Sequence, residues 1–109
     1  MEEAAVIKAL GALAQETRLR IFRLLVVAGP AGLTPGQLSD ALGTPPTALS
    51  FHLKELSHAA LVLCERDGRH LIYRAAIPVM NDVLGFLTAH CCEGMPCLDN
   101  PIPVKCKTC

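Results

Sequence analysis

The chain has 109 residues, of which 51 % are hydrophobic and 18 % charged, and its formal net charge is zero. That length allows one domain with a modest core, and the neutral balance excludes DNA binding driven by bulk positive charge. With no Trp and only Tyr73 for tyrosine, the chain also lacks the aromatic platforms on which single-stranded nucleic acid stacks.

Residues 2–13 place Val6, Ile7, Leu10 and Leu13 at helical spacing, which predicts a first helix with Gly11 as a weak point. Residues 16–27 predict a second, with Leu19, Ile21, Leu24, Leu25 and Val26 apolar, Arg18, Arg20 and Arg23 interspersed, and a stop at Gly29-Pro30. Thr34-Pro35-Gly36-Gln37 then reads as a helix start. Thr34 caps, Pro35 suits the first helical position, and Gln37 completes a capping box. Gly43 closes that short helix. Thr44 predicts the next cap, Pro45 and Pro46 fit the first turn, and the helix runs to about His58 with Leu49, Leu53 and Leu56 as its buried stripe. Two short helices across a Gly-containing turn are a helix-turn-helix signature.

The periodicity then changes to two. Leu61, Leu63 and Glu65 alternate with Val62, Cys64 and Arg66, Asp67-Gly68 predicts a hairpin turn, and His70 to Arg74 form the returning strand. A hairpin in this place is a wing, and Arg66 and Arg69 beside its tip are expected to track the adjacent minor groove of DNA or its backbone. Cys64, alone in its strand, is expected to point into the core as a small apolar residue, the alternative being a minor reactive thiol. Pro78 opens a last helix that reaches about His90. Its apolar face is Met80, Val83, Leu84 and Leu87, broadened by Phe86. The first and last helices carry more apolar surface than so small a domain can cover. Val6, Leu10, Met80, Val83, Leu84 and Leu87 are therefore expected to pair across a two-fold axis in a homodimer. The fold class is mainly α with one β-hairpin, a winged helix-turn-helix over residues 1–93, followed by a cysteine-containing tail over 94–109.

On the helix 46–58 the outward positions are Pro46, Thr47, Ala48, Ser50, Phe51 and Lys54. Thr47 and Ser50 can bond base edges or phosphate, Phe51 can touch a thymine methyl, and Lys54 neutralises phosphate. The set has no Arg, Asn or Gln for bidentate base readout, so specificity would lean on apolar contact, shape and half-site spacing. For Ser50 a local backbone hydrogen bond is the alternative. His52 reads as a core-edge histidine making one hydrogen bond, with a phosphate contact as the alternative. Arg18 and Arg20 read as surface or intersubunit salt-bridge groups rather than DNA contacts.

Three strings carry a resemblance: ALAQETRLRIFRLL, LTPGQLSDALGTPPTALSFHLKEL and LVLCERDGRHLIYR. Together they resemble the ArsR/SmtB family of arsenic- and metal-responsive repressors over roughly residues 4–90, the most specific parts being Ser50-Phe51-His52-Leu53 and the wing with its Asp67-Gly68-Arg69 turn. The resemblance implies a homodimeric winged helix-turn-helix protein on double-stranded DNA with an inverted-repeat operator, leaving it when the metal or metalloid binds. The family's C-x-C arsenite site before the recognition helix has no counterpart, because Thr34 to Leu38 contain no cysteine. A zinc site of the family's last-helix type is half present in His90 and Glu93, but its other half falls on Ile77 and Val79, which cannot ligate. Family members that sense arsenite through three cysteines at the end of the last helix, starting with an adjacent pair, resemble this chain at Cys91, Cys92 and Cys97.

The residues themselves support soft-ion chemistry there. Thiolates select soft ions, and As(III) or Sb(III) takes three of them in a pyramid, with Glu93-Gly94 the expected place for the backbone to leave the helix. Cys106 and Cys109 are accessory candidates. With Cys97 and either Cys91 or Cys92 they also satisfy the count for four-thiolate zinc. Cd(II), Hg(II) and pure redox sensing remain alternatives. The expected switch is that gathering Cys91, Cys92 and Cys97 reorients the end of the last helix and so the spacing of two recognition helices. No secretory signal or bilayer-spanning run is visible, so a cytoplasmic protein with reduced thiols is expected. No catalytic constellation is present, and an enzyme is not expected. A winged-helix module that binds protein rather than DNA is the alternative from another class.

Overall fold

The computed structural model describes residues 1–91. Cys92, Cys97, Cys106, Cys109 and the tail lie outside them. Five helices and one hairpin follow in the order α1 (Glu3–Leu13), α2 (Glu16–Ala28), α3 (Pro35–Leu42), α4 (Pro46–His58), β1 (Val62–Asp67), β2 (His70–Ala75) and α5 (Ile77–Thr88). This is the expected mainly helical winged helix-turn-helix. The core is built from Val6 and Ala9 of α1, Ile21, Phe22 and Leu25 of α2, Leu38 of α3, the Leu49-Leu53-Leu56 stripe of α4, Leu61 just before β1, Val62 of β1 and Val83 of α5. Among the described residues no helix is long and apolar enough to cross a membrane.

Local chemistry explains the joints. The Thr34 hydroxyl accepts from the Gln37 N–H and the Gln37 side chain accepts from the Thr34 N–H, so the capping box is complete. Gly43 ends α3 in the left-handed region. The next cap differs from expectation: Pro45, not Thr44, is the N-cap of α4, and no side chain caps it. Thr44 is occupied otherwise, its carbonyl accepting from the Ser39 hydroxyl. α4 ends in a Schellman motif. Ala60 at φ 63 donates to Ser57, and Leu61 donates to Leu56, the two leucines both fully buried.

The hairpin pairs Val62 with Ala75 through to Asp67 with His70. The turn is therefore Gly68-Arg69, one residue later than expected, with positive φ at Gly68 (64°) and not at Arg69. Glycine at the first of two central positions suits a type II′ turn. Leu33 bridges to Tyr73 by two backbone hydrogen bonds of 3.0 and 2.8 Å, tying the wing to the loop after α2. Arg74 reinforces that tie, donating to the Pro30 carbonyl and to Glu65, each at 2.6 Å. The neighbouring Gly32 is where glycine is required. Its φ is 67° and ψ −176°, and an added Cβ would lie 2.6 Å from the Tyr73 carbonyl and from an Ile72 methyl. Gly32→Ala is expected to cost about 3 kcal/mol, from an essentially glycine-only conformation plus overpacking. Urea unfolding would show it as a lower midpoint at unchanged slope.

Candidate nucleic-acid interface

The interface is built on α4, whose two faces divide cleanly. Leu49, Leu53 and Leu56 are at most 3 % exposed, so Pro46, Thr47, Ser50, Phe51 and Lys54 stand together on the outward side, all exposed. Ala48 and His52 leave this row: both are half-buried toward the protein. Phe51 is 56 % exposed, a large apolar group that the fold leaves in solvent. Its ring meets the edge of His52 at a centroid distance of 5.6 Å and 65° between planes. Because Pro45 supplies no capping side chain, the first-turn N–H groups of α4 are suited to a phosphate oxygen.

The wing carries the second candidate surface. Arg66 and Arg69 are exposed beside the Gly68-Arg69 turn. Arg74, by contrast, is engaged with Pro30 and Glu65. Arg20 is in an exposed i, i+4 pair with Glu16 at 2.6 Å, as expected of a surface group. Arg18 instead forms hydrogen bonds within the protomer. Its Nε donates to the Ala12 carbonyl at 2.7 Å and its Nη1 to Nδ1 of His52 at 3.3 Å, while its backbone N–H donates to the Gln15 side chain. Arginine has no acceptor, so Nδ1 of His52 must be unprotonated. Burial, and then the Arg18 charge, lower the His52 pKa from its ordinary value. No pattern in the sequence signals this link, because its partners are 34 positions apart.

Cys64 corrects an expectation. It is exposed, because the hairpin runs out beyond the helical core and only Val62 of β1 is buried. It lies opposite Tyr73 in the ladder. Burial first, and then the hydrogen bond and charge of Cys64, push the Tyr73 hydroxyl pKa up.

The expected subunit seam is revised in part. Val6 and Val83 are 2 % and 1 % exposed, spent inside the protomer, and Met80 is half-buried. Leu10, Leu84 and Leu87 remain open at 40 %, 53 % and 55 %, and they are joined by Ile7 at 60 %, which the sequence reading did not assign to the seam. α1 and α5 pack on each other, so these open side chains belong to one helix pair.

The last helix also stops early. It ends at Thr88, whose hydroxyl donates to the Leu84 carbonyl at 2.9 Å, and His90 turns into the left-handed region at φ 58°. Cys91 is thus already past the helix and half-buried, not in its final turn. Among the described residues no three His, Cys, Asp or Glu side chains gather in a metal-holding group.

Comparison with known proteins places this geometry. A helix-turn-helix domain family model matches residues 13–65. A protein of Halobacterium salinarum named as an arsenical resistance operon repressor, ArsR, is 37 % identical over 68 residues, which are 62 % of this chain and 52 % of that one. The chain thus spans about half the length of this curated relative. Among solved structures, an ArsR-like transcriptional regulator from Rhodococcus sp. RHA1 superposes with a TM-score of 0.73 at 28 % identity, covering 84 % of this chain and 83 % of the other. The homodimeric winged helix-turn-helix DNA-binding domain Mb0332 from Mycobacterium bovis shares the fold, with a TM-score of 0.64 at 24 % identity over 85 % of this chain and 86 % of that one.

Proposed function

We propose that this winged helix-turn-helix chain is an ArsR-family DNA-binding transcriptional repressor, and that trivalent arsenic or antimony taken by cysteine thiolates beyond its last helix releases it from DNA. The observation that carries the DNA-binding half is the outward row on α4: a side chain as large and apolar as Phe51, 56 % exposed, flanked by Thr47, Ser50 and Lys54 and backed by fully buried leucines. Groove binding gives such a row a partner, and the exposed arginines of the wing fit the neighbouring backbone. Relatives named as regulators support a regulator rather than an enzyme.

Two copies joined through Ile7, Leu10, Leu84 and Leu87 would cover the open faces of α1 and α5 and set two α4 helices on an inverted repeat, one helical turn apart. The ligand half is supported by the donor set. Cys91 and Cys92 are adjacent and Cys97 follows within one short loop's reach, which suits a pyramidal ion that wants three soft donors. Cys91 lies three residues past Thr88, where α5 ends, so tension on it would act on the element that would share the dimer seam with α1. The ion must bind the DNA-incompetent arrangement more tightly, since a ligand shifts an equilibrium only by its differential affinity.

The test is a duplex-binding titration. Wild-type protein bound to a duplex it has itself selected from a random pool should lose affinity about 5–150-fold at saturating arsenite, the range of ordinary allosteric coupling. Unaltered affinity with arsenic demonstrably bound overturns the release step. Selection of no duplex overturns the repressor reading.

A further inference from the structure

We infer that Arg18 is a positioning residue for DNA recognition: it holds α4 in register with the C-terminal end of α1 by gripping neutral His52, and through His52 it steadies Phe51. This rests on α4 being the DNA-reading helix. Three observations carry it. Arg18 binds the Ala12 carbonyl, near the end of α1, at 2.7 Å and His52 on α4 at 3.3 Å, so one planar guanidinium spans the helix of the open apolar face and the helix of the outward row. Its own backbone N–H is fixed by the N-cap Gln15 at 2.8 Å, so the fork starts from an anchored point. The His52 ring then meets Phe51 edge-on. A guanidinium presents several donors in a rigid fork, and lysine offers only a point charge, so the two acceptors on α1 and α4 are met together by arginine alone.

The link has a built-in proton dependence. α1, α2, α3 and β1 all pack on α4. Burial lowers the pKa of the ring first and the Arg18 charge second, and Arg18 is the charged group on these elements that hydrogen-bonds the ring; Lys8 of α1, Asp40 of α3, Glu65 of β1 and Lys54 and Glu55 of α4 are further charged groups on the elements packed there. Protonating Nδ1 would put one donor against another and two cations side by side. The folded pKa lies below the ordinary 6.5. The grip is therefore whole above that pH and is lost as pH falls through the lowered folded value.

Fluorescence anisotropy with the self-selected duplex tests the assignment in the full chain. Arg18→Met keeps the aliphatic bulk and removes the donors. It should weaken binding about tenfold or more at neutral pH, the worth of a charge-assisted hydrogen bond, while the slope of log affinity against log salt stays as in wild type. Unchanged affinity overturns the proposal. So does a slope smaller by about 0.9, because that makes Arg18 a direct phosphate contact. His52→Asn places an amide oxygen near the position of Nδ1 without a titrating proton. It removes the ring edge that steadies Phe51, so it should bind more weakly than wild type at neutral pH, and it should lose the further weakening that wild type is expected to show as pH falls below 6.5. The same acid weakening in His52→Asn overturns the proposal even where Arg18→Met fails to fold. Failure of the wild type to select any duplex removes the repressor reading and this role with it, an outcome separate from the variant results.

Discussion

Serine at Cys91, Cys92 and Cys97 together is expected to leave duplex affinity within about twofold of wild type and to abolish release by arsenite, where wild type loses about 5–150-fold. The reasoning is chemical. Serine is close in size to cysteine but offers a hard hydroxyl, and trivalent arsenic holds sulfur far better than oxygen. DNA affinity should be spared because Cys91 is far along the chain from α4 and the wing, lying past the end of α5. Anisotropy with and without arsenite reads both quantities on one sample. Retained release in the triple variant would remove the proposed site. Serine at Cys106 and Cys109 separates the alternatives further: a three-thiolate arsenic site keeps its response, while a four-thiolate zinc site loses its metal. Cys97→Ser alone should spare the response to a methylated arsenical, which has one valence already filled, and abolish the response to inorganic arsenite.

The second large effect is expected at Phe51. Phe51→Ala should lower duplex affinity by about 1.5–3 kcal/mol, the worth of burying a side chain of this size, while stability changes by about 1 kcal/mol or less, because Phe51 is 56 % exposed and its ring contact is with His52. Leu53→Ala, two residues on, is the internal control. Leu53 is 3 % exposed, so its truncation should cost about 2–5 kcal/mol of stability. Anisotropy and urea unfolding on the same two variants separate the roles. A Phe51→Ala protein that binds as tightly as wild type would leave the outward row without a DNA partner.

The switch looks different once α5 is seen to end at Thr88. Helical periodicity carried the sequence reading on to His90, since Ala89 and His90 are compatible with a helix. The left-handed turn at His90 is a choice that a non-glycine residue rarely makes, and spacing does not reveal it. An ion taken at Cys91, as proposed, would therefore not need to unwind helix; it would pull on a segment that has already left α5. The cap of α4 shows the same limit at a smaller scale. Thr44 had the right chemistry for a cap, but its carbonyl is taken by Ser39 and Pro45 fills the position instead.

Much of the candidate DNA surface was legible because of a single pattern. Three leucines at i, i+4 and i+7 define the buried side of α4, and what remains must face outward. Thr47, Ser50, Phe51 and Lys54 follow from that, and the structure exposes all four. Ala48 and His52 sit at the boundary between faces, where a helical wheel does not discriminate and neighbouring elements do.

Order, length and joints of the elements were thus written in the amino acids, because capping, turn formation and helical or strand periodicity depend on groups only a few residues apart. Which apolar side chains would be used up inside one copy, and which would stay open, was settled by packing. Val6 is buried and Ile7 beside it is not, and Cys64 lies in solvent because the hairpin outruns the core. The Arg18 grip on His52 belongs to the same class, since rotation of a helix about its axis and contacts between distant positions leave no local trace.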